Sequence, residues 1–278
     1  MNRLCQTVGI SRAGYYRFLR RPQRSEADME LRSQIQGIAL HWPAYGYRRV
    51  QAELERKGWR VNRKRVLRLM RVDNLLCVRR RKFIFTTDSK HGLPIYPNLA
   101  KDMRLTGINQ LWVADITYIR LAAEFVYLAV LLDAFSRSCV GWAVQRSLEA
   151  ALVLEALRMA LRRRHPAPGL VHHSDRGVQY ASRDYTHVLE QQRIQISMSR
   201  RGNVYDNSMA ESFIKTLKYE EVYRTEYHNL EEARTSMQQF LEKIYNQKRL
   251  HSALGYRPPR EFEKSGSVSS SGARGALA

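Results

Sequence analysis

Cysteine is scarce in this chain, and the three present do not make a set. Cys5, Cys77 and Cys139 are scattered, odd in number and without CxxC spacing, which argues against both a disulfide framework and a structural zinc site. Long apolar runs are missing as well. The longest is Phe125-Val126-Tyr127-Leu128-Ala129-Val130-Leu131-Leu132, ended by Asp133. It falls far short of the ~20 residues that span a bilayer and reads as a buried strand. The first residues hold no apolar core with a small-residue cleavage site, so no signal peptide is expected, and the expected setting is cytoplasmic with no membrane partner. Acid is in short supply too: 26 Asp+Glu stand against 47 Lys+Arg, a formal net charge of +21. What is there is ordinary for a folded protein. At 44% hydrophobic and 26% charged, 278 residues exclude wholesale disorder and suit roughly two domains.

The charge is not spread evenly. Residues 1–100 hold 22 Lys+Arg and 7 Asp+Glu, net +15, whereas residues 101–278 hold 25 and 19, net +6. Such an excess in about a third of the chain points to a polyanionic partner, and the aromatics interleaved with it favour nucleic acid over a merely solvated surface. Thr7-Val8-Gly9-Ile10-Ser11-Arg12-Ala13-Gly14-Tyr15-Tyr16 reads as a helix end, a glycine turn and a helix capped by Ser11, a partial helix-turn-helix over residues 1–24. Pro22 and Ser25 separate it from a basic helical domain, 25–82, opened by a capping-box variant at Ser25 and Asp28. Leu31, Ile35 and Ile38 mark the first apolar face there. Tyr45-Gly46-Tyr47-Arg48-Arg49-Val50 leads into a second helix stopped at Gly58. Asn62 caps a third, with Val66, Leu67 and Met70 inward and Arg63, Lys64, Arg65, Arg68 and Arg71 outward. Arg48, Arg49, Arg63, Lys64 and Arg68 are the candidate phosphate contacts, although any one arginine alone is better read as solvated surface charge. Arg79-Arg80-Arg81-Lys82 follow, and residues 83–109 read as a linker.

The remainder reads as an α/β core, 110–263, with a mixed sheet and flanking helices. Strands are expected at Leu111–Ile119, Phe125–Leu132, Ser138–Val144, Leu170–His173 and Ile194–Met198. Helices are expected from a Ser147 cap to about Arg164, near Ser182–Gln191, and from Asn207 onward; residues 264–278, rich in Ser, Gly and Ala, read as a disordered tail. Asp115 is out of place inside its strand, because Asp is depleted there and is unfavourable when buried unpaired. Asp175 ends another strand and Glu211 lies on a helix, with 35 residues between these two. Hard divalent cations prefer oxygen ligands, and paired ions are suited to phosphodiester chemistry.

Three blocks carry a resemblance. Trp112-Val113-Ala114-Asp115-Ile116-Thr117-Tyr118, His173-Ser174-Asp175-Arg176-Gly177-Val178-Gln179-Tyr180 and Asp206-Asn207-Ser208-Met209-Ala210-Glu211-Ser212-Phe213 resemble the catalytic blocks of bacterial insertion-sequence transposases of the IS-three family. Leu132-Asp133-Ala134-Phe135-Ser136-Arg137, Val140-Gly141-Trp142 and the tail motif from Tyr245-Asn246 through Arg249-Leu250-His251-Ser252-Ala253-Leu254-Gly255-Tyr256 are similar to that family too. The resemblance spans roughly residues 5–263. It implies a ribonuclease-H-like, retroviral-integrase-like core in which Asp115, Asp175 and Glu211 are catalytic and hold two Mg²⁺ ions, with Mn²⁺ as a substitute. It also implies double-stranded DNA as substrate, a homo-oligomer on DNA, placement at the bacterial nucleoid, and an upstream-frame helix-turn-helix partner. The chain opens inside a helix-turn-helix and has no heptad run, so it resembles the family's second-frame product. The alternative is a DNA-binding regulator with a vestigial core, against which the intact triad and its spacing stand.

The neighbours of the acids have competing readings. Lys218 is seven residues after Glu211 and therefore within ~20° of the same helix face. The family motif assigns it to DNA phosphate, whereas Lys215, one turn from Glu211, suits an i,i+4 pair with it. Arg176, Arg200 and Arg201 are further candidate DNA contacts, the last two in the loop Arg200-Arg201-Gly202-Asn203-Val204-Tyr205. His172 and His173 read as strand-end histidines, Asp133 as a cap at a strand turn, and Asp206 as an N-cap for the Glu211 helix.

Overall fold

The computed structural model describes residues 7, 9, 11–19, 26–76, 94–200 and 206–271. The chain divides into two units, Met1–Arg79 and Arg80–Ala278. Among the described residues no helix is long and apolar enough to cross a membrane. Cys139 is buried and free; Cys5 and Cys77 lie outside the described residues.

In the first unit, Ser11 caps α1 (Arg12–Leu19): its Oγ accepts the Gly14 N–H at 3.0 Å, after Gly9 has turned the chain at φ 66°. Three helices then pack together, α2 (Glu26–His41), α3 (Tyr47–Arg56) and α4 (Arg63–Val72). Ser25 of the expected capping box lies outside the described residues. Asn62 caps α4 as expected, its side chain accepting the Lys64 N–H at 2.8 Å. Leu31, Ile35 and Ile38 meet Val50, Ala52 and Leu54 of α3 and Val66, Leu69 and Met70 of α4 in the core. The expected inward Leu67 is corrected here to Leu69, because positions i, i+3 and i+4 from Val66 share a face whereas i+1 is rotated by about 100°. An Arg32–Asp73 ion pair ties α2 to the end of α4.

The second unit is built on a five-stranded sheet in the order β3-β2-β1-β4-β5. The strands are β1 (Leu111–Arg120), β2 (Phe125–Asp133), β3 (Cys139–Gln145), β4 (Val171–Ser174) and β5 (Gln195–Met198). β1 pairs antiparallel with β2, and β2 with β3, whereas β4 and β5 run parallel to β1. α5 (Ala150–Arg164) and α6 (Arg183–Gln191) cover one face, packing with Trp112, Ala114 and Leu131. α7 (Ser208–Leu217) and α8 (Leu230–Gln238) pack with Val113, Val130 and Leu132 in the other core. α5 lies so close to β3 that a Cβ on Gly141 would stand 2.2 Å from the Ala156 carbonyl oxygen.

Three expectations change. The α5 N-cap is Glu149, not Ser147. The second half of the expected linker is part of this unit: the Leu99 N–H donates to Ser197 Oγ at 2.8 Å, and Ala100, Met103 and Leu105 pack on the core. The expected tail begins inside α9 (Pro259–Ser271), which Glu263 anchors by pairing with Arg164 at 2.7 Å and Phe262 by packing on Phe135. Residues 272–278 lie outside the described residues.

Candidate active site

β1 is the central strand, with a neighbour on each side, and Asp115 sits in its middle opposite Val130 of β2. Its Oδ1 accepts the Ile116 N–H at 2.8 Å. Burial, and after it the nearby Asp175 carboxylate, push the Asp115 carboxyl from 3.8 to about 8; Glu211 adds to the rise, and the Ile116 N–H and Lys218 oppose it. Asp175 follows β4, the parallel neighbour of β1, which carries it beside the Asp115 strand. Its Oδ1 accepts the Gly177 N–H at 2.9 Å, and a Cβ on Gly177 would stand 3.0 Å from that same oxygen. Glycine there lets the backbone close on the carboxylate.

Glu211 occupies the first turn of α7, where a negative charge opposes the helix dipole favourably. The helix is fixed at its start by Asn207, whose amide donates to the Ala114 carbonyl at 3.1 Å, next to Asp115. Asn207 is the N-cap residue, so Asp206 is not the cap. Asp206 instead accepts from the Arg200 backbone N–H at 2.8 Å and from its guanidinium at 3.0 Å, which holds its carboxyl far below the usual carboxylate range. Arg200, expected on DNA, is thereby engaged within the protein. Arg176 donates to the Ser199 carbonyl at 2.8 Å. Arg201 lies outside the described residues, as do the other members of that loop through Tyr205.

Lys215 makes the expected contact with Glu211, at 4.0 Å. Lys218 goes elsewhere: its Nζ lies 4.2 Å from the centroid of the Tyr118 ring, and partial burial lowers its pKa against the pull of Asp115. It opens a π-helical turn, Lys218–Val222, in which the Tyr223 N–H donates to the Lys218 carbonyl. Such turns recur at functional sites. Tyr118 was not foreseen as part of this arrangement; its signal in the sequence is an aromatic three residues along the strand from the acid.

The histidines and Asp133 are structural. His173 bonds Ser197 at 2.8 Å and Ser199 at 3.0 Å, and His172 bonds the Tyr185 hydroxyl at 2.8 Å. Asp133 accepts from the Asn109, Phe135 and Ser136 backbones. In the first unit Arg48, Arg63, Lys64 and Arg68 are exposed, and the Arg49 guanidinium lies 5.4 Å from the Tyr45 ring centroid. Among the described residues no three His, Cys, Asp or Glu side chains form a ready-made cluster around one ion.

A mixed sheet with one acid at the middle of its central strand, one at the end of the parallel neighbour and one on the helix behind defines a ribonuclease-H-like integrase core. Family models described as integrase core domain match residues 106–204 and 192–259, and one described as an HTH-like domain matches residues 26–83. An insertion element IS600 protein of Shigella sonnei is 40% identical over 94% of this chain and 97% of its own length. The transposase for insertion sequence element IS904 of Lactococcus lactis is 38% identical over 88% and 98%. Transposase InsF for insertion sequence IS3A of Escherichia coli is 34% identical over 94% and 92%. The chain belongs to the IS-three family of insertion-sequence transposases. A weaker likeness, at a TM-score of 0.45 and 15% identity over 58% of this chain and 99% of the other, is to the HTLV-2 integrase catalytic core domain in complex with magnesium.

Proposed function

We propose that this chain cuts a phosphodiester at the ends of an insertion sequence and joins the exposed 3′-hydroxyl to a second DNA strand. The observation that carries this reading is the placement of the three acids: Asp115 in the middle of β1, Asp175 just past the parallel neighbour β4, and Glu211 on α7, whose N-cap Asn207 bonds the Ala114 carbonyl beside Asp115. In the first step a water oxygen bonds to phosphorus and the P–O3′ bond breaks, its oxygen leaving as the 3′-hydroxyl. In the second that hydroxyl oxygen bonds to a phosphorus of the other strand, whose own P–O3′ bond breaks. No bond to the protein forms, so none of the acids is a nucleophile.

The donor set fits divalent metal. All three side chains present hard oxygens, and Asp115 is short of positive charge where it stands. Asp115, Asp175 and Glu211 would hold two Mg²⁺ ions, with Mn²⁺ as a substitute. When bound, such ions activate the attacking oxygen and stabilise the leaving one. The protein's own part is positioning: Ile116 and Gly177 N–H groups fix two carboxylates, Asn207 fixes the helix of the third, and Lys218 holds a phosphate of the cut strand. Duplex DNA is met by the basic helices of the first unit, through Arg48, Arg49, Arg63, Lys64 and Arg68, with copies of the chain and an upstream-frame product as partners on DNA.

Asp115→Asn, Asp175→Asn and Glu211→Gln should each abolish cleavage and joining of labelled element-end duplexes in Mg²⁺ while retaining duplex binding. Normal activity in any one of them removes that residue from the reaction.

A further inference from the structure

Beside the acids lies a group of aromatic side chains that the chemistry above leaves unused. Tyr118 and Phe125 stand edge to face at 5.6 Å across the β1–β2 hairpin, and Tyr219 and Tyr223 do the same at 5.8 Å on the π-helical turn. Lys218 links the two pairs: it directly precedes Tyr219 on the π-helical turn, and its Nζ lies 4.2 Å from the Tyr118 ring centroid. Phe125 is 52% exposed and Tyr223 55%, a large outlay of aromatic surface to water. The patch begins where the substrate backbone must lie. Lys218, seven residues on from Glu211, rests on the Tyr118 ring, so the patch adjoins the side chain proposed to hold phosphate.

The rim of the patch is cationic. Exposed Arg120 is the register partner of Phe125, and Arg224 follows Tyr223 with its Nε bonded to the Tyr219 carbonyl at 2.9 Å. Three neighbouring carboxylates are engaged elsewhere: Glu220 by Arg249, Glu221 by Ser236 and Tyr227, and Glu124 by Arg146. Exposed rings with a positive rim suit a nucleobase whose own phosphates lie on either side.

Resting on the reading of the acids given above, we infer that Tyr118, Phe125, Tyr219 and Tyr223 form a platform on which an unpaired base of the DNA strand stacks next to the bond being cut. A base leaving the duplex loses stacking and pairing. The platform restores a stack, and it is indifferent to sequence because every base has a π-face.

The test is the double variant Phe125→Ala/Tyr223→Ala in the full chain, both side chains being more than half exposed, with its melting temperature checked against the parent. Two substrates are used, one fully paired at the cut and one mismatched over the adjacent base pairs. The platform requires a loss of about ten-fold or more on the paired end, the size of one base–aromatic stack. It also requires a smaller loss on the mismatched end, and quenching of 2-aminopurine placed beside the cut by the parent but not by the variant. Tyr223→Phe should keep the parent rate and Tyr223→Leu should not. Equal losses on both ends, or parent rates on both, overturn the platform. Parent rates with lost self-association in sedimentation assign the patch to a second protein copy instead. A parent protein that cuts neither end overturns the reading of the acids, and this inference with it.

Discussion

Asp115 titrates in the wrong range for a carboxylate, and that has a measurable consequence for the metal-free protein. The unfolded chain releases this proton near 3.8 and the folded chain near 8. Between those values the folded state alone keeps the proton, so stability falls as pH rises across the window, by on the order of a few kcal/mol at its upper end. Asp115→Asn should therefore melt above the parent at pH 8 in EDTA, with the gap closing toward pH 4. Mg²⁺ should narrow the gap at pH 8 by stabilising the parent alone. A gap that does not vary with pH would dissociate the Asp115 proton from this loss of stability. Lys218 gives a second residue-scale outcome. It rests on Tyr118 and not against Glu211, so Lys218→Ala should slow cleavage and weaken engagement of the DNA end with little change in melting temperature. Lys218→Arg should recover part of the rate, since charge is kept while the donor geometry changes. The acid was legible from sequence because an aspartate inside a strand needs a reason. Tyr118 was not, because a tyrosine inside a strand needs none.

At the level of elements, the tail motif holds the Glu211 helix from behind. Arg249 makes a buried, two-pronged pair with Glu220 at 2.7 Å, and Tyr245 meets Phe213 of α7 edge to face at 4.8 Å. Glu220 lies on the π-helical turn that Lys218 opens, so the pair fixes the segment on which Lys218 is carried. Removing one partner of a buried pair leaves the other uncompensated, and Arg249→Ala should cost about 3–5 kcal/mol in urea unfolding. Glu220→Leu/Arg249→Met should recover most of that stability. If the double variant melts no higher than the single, the pair is not the source of the loss. The strands were legible because β1 and β2 carry continuous apolar sequence with few interruptions, and their observed limits differ from the expected ones by about a residue. The work of the tail was not: Arg249 and Glu220 are separated by 29 positions, and no local period links an arginine to a partner that far upstream. The continuation of α9 to Ser271 was not legible either, because the Ser- and Gly-rich sequence after residue 263 carries no apolar period.

Across the whole molecule, charge and chemistry are divided between two units. The exposed cations of α4 belong to the unit matched by an HTH-like family model, and the acids to the unit matched by integrase core models. If Arg63, Lys64 and Arg68 each neutralise a phosphate, replacing all three by alanine should weaken duplex binding. It should also flatten the log–log salt dependence by about 0.9 per lost contact, measured by fluorescence anisotropy over a salt series. An unchanged slope would place the main DNA anchor elsewhere. The division itself was legible in the uneven charge, whereas the hold of residues 94–109 on the core was not, because it runs through a backbone bond to Ser197 and scattered apolar residues without a period. The contact between Asn246 and Cys139 also joins distant parts of the chain. The Asn246 amide both accepts from and donates to the Cys139 backbone, 107 positions away, and β3 is a sheet edge. A ribosome delivers β3 long before it delivers Asn246. Until then the Cys139 backbone N–H and carbonyl lack the partner that Asn246 gives them, so the nascent chain presents a more open strand edge, and the demand on chaperones falls on the half-made polypeptide.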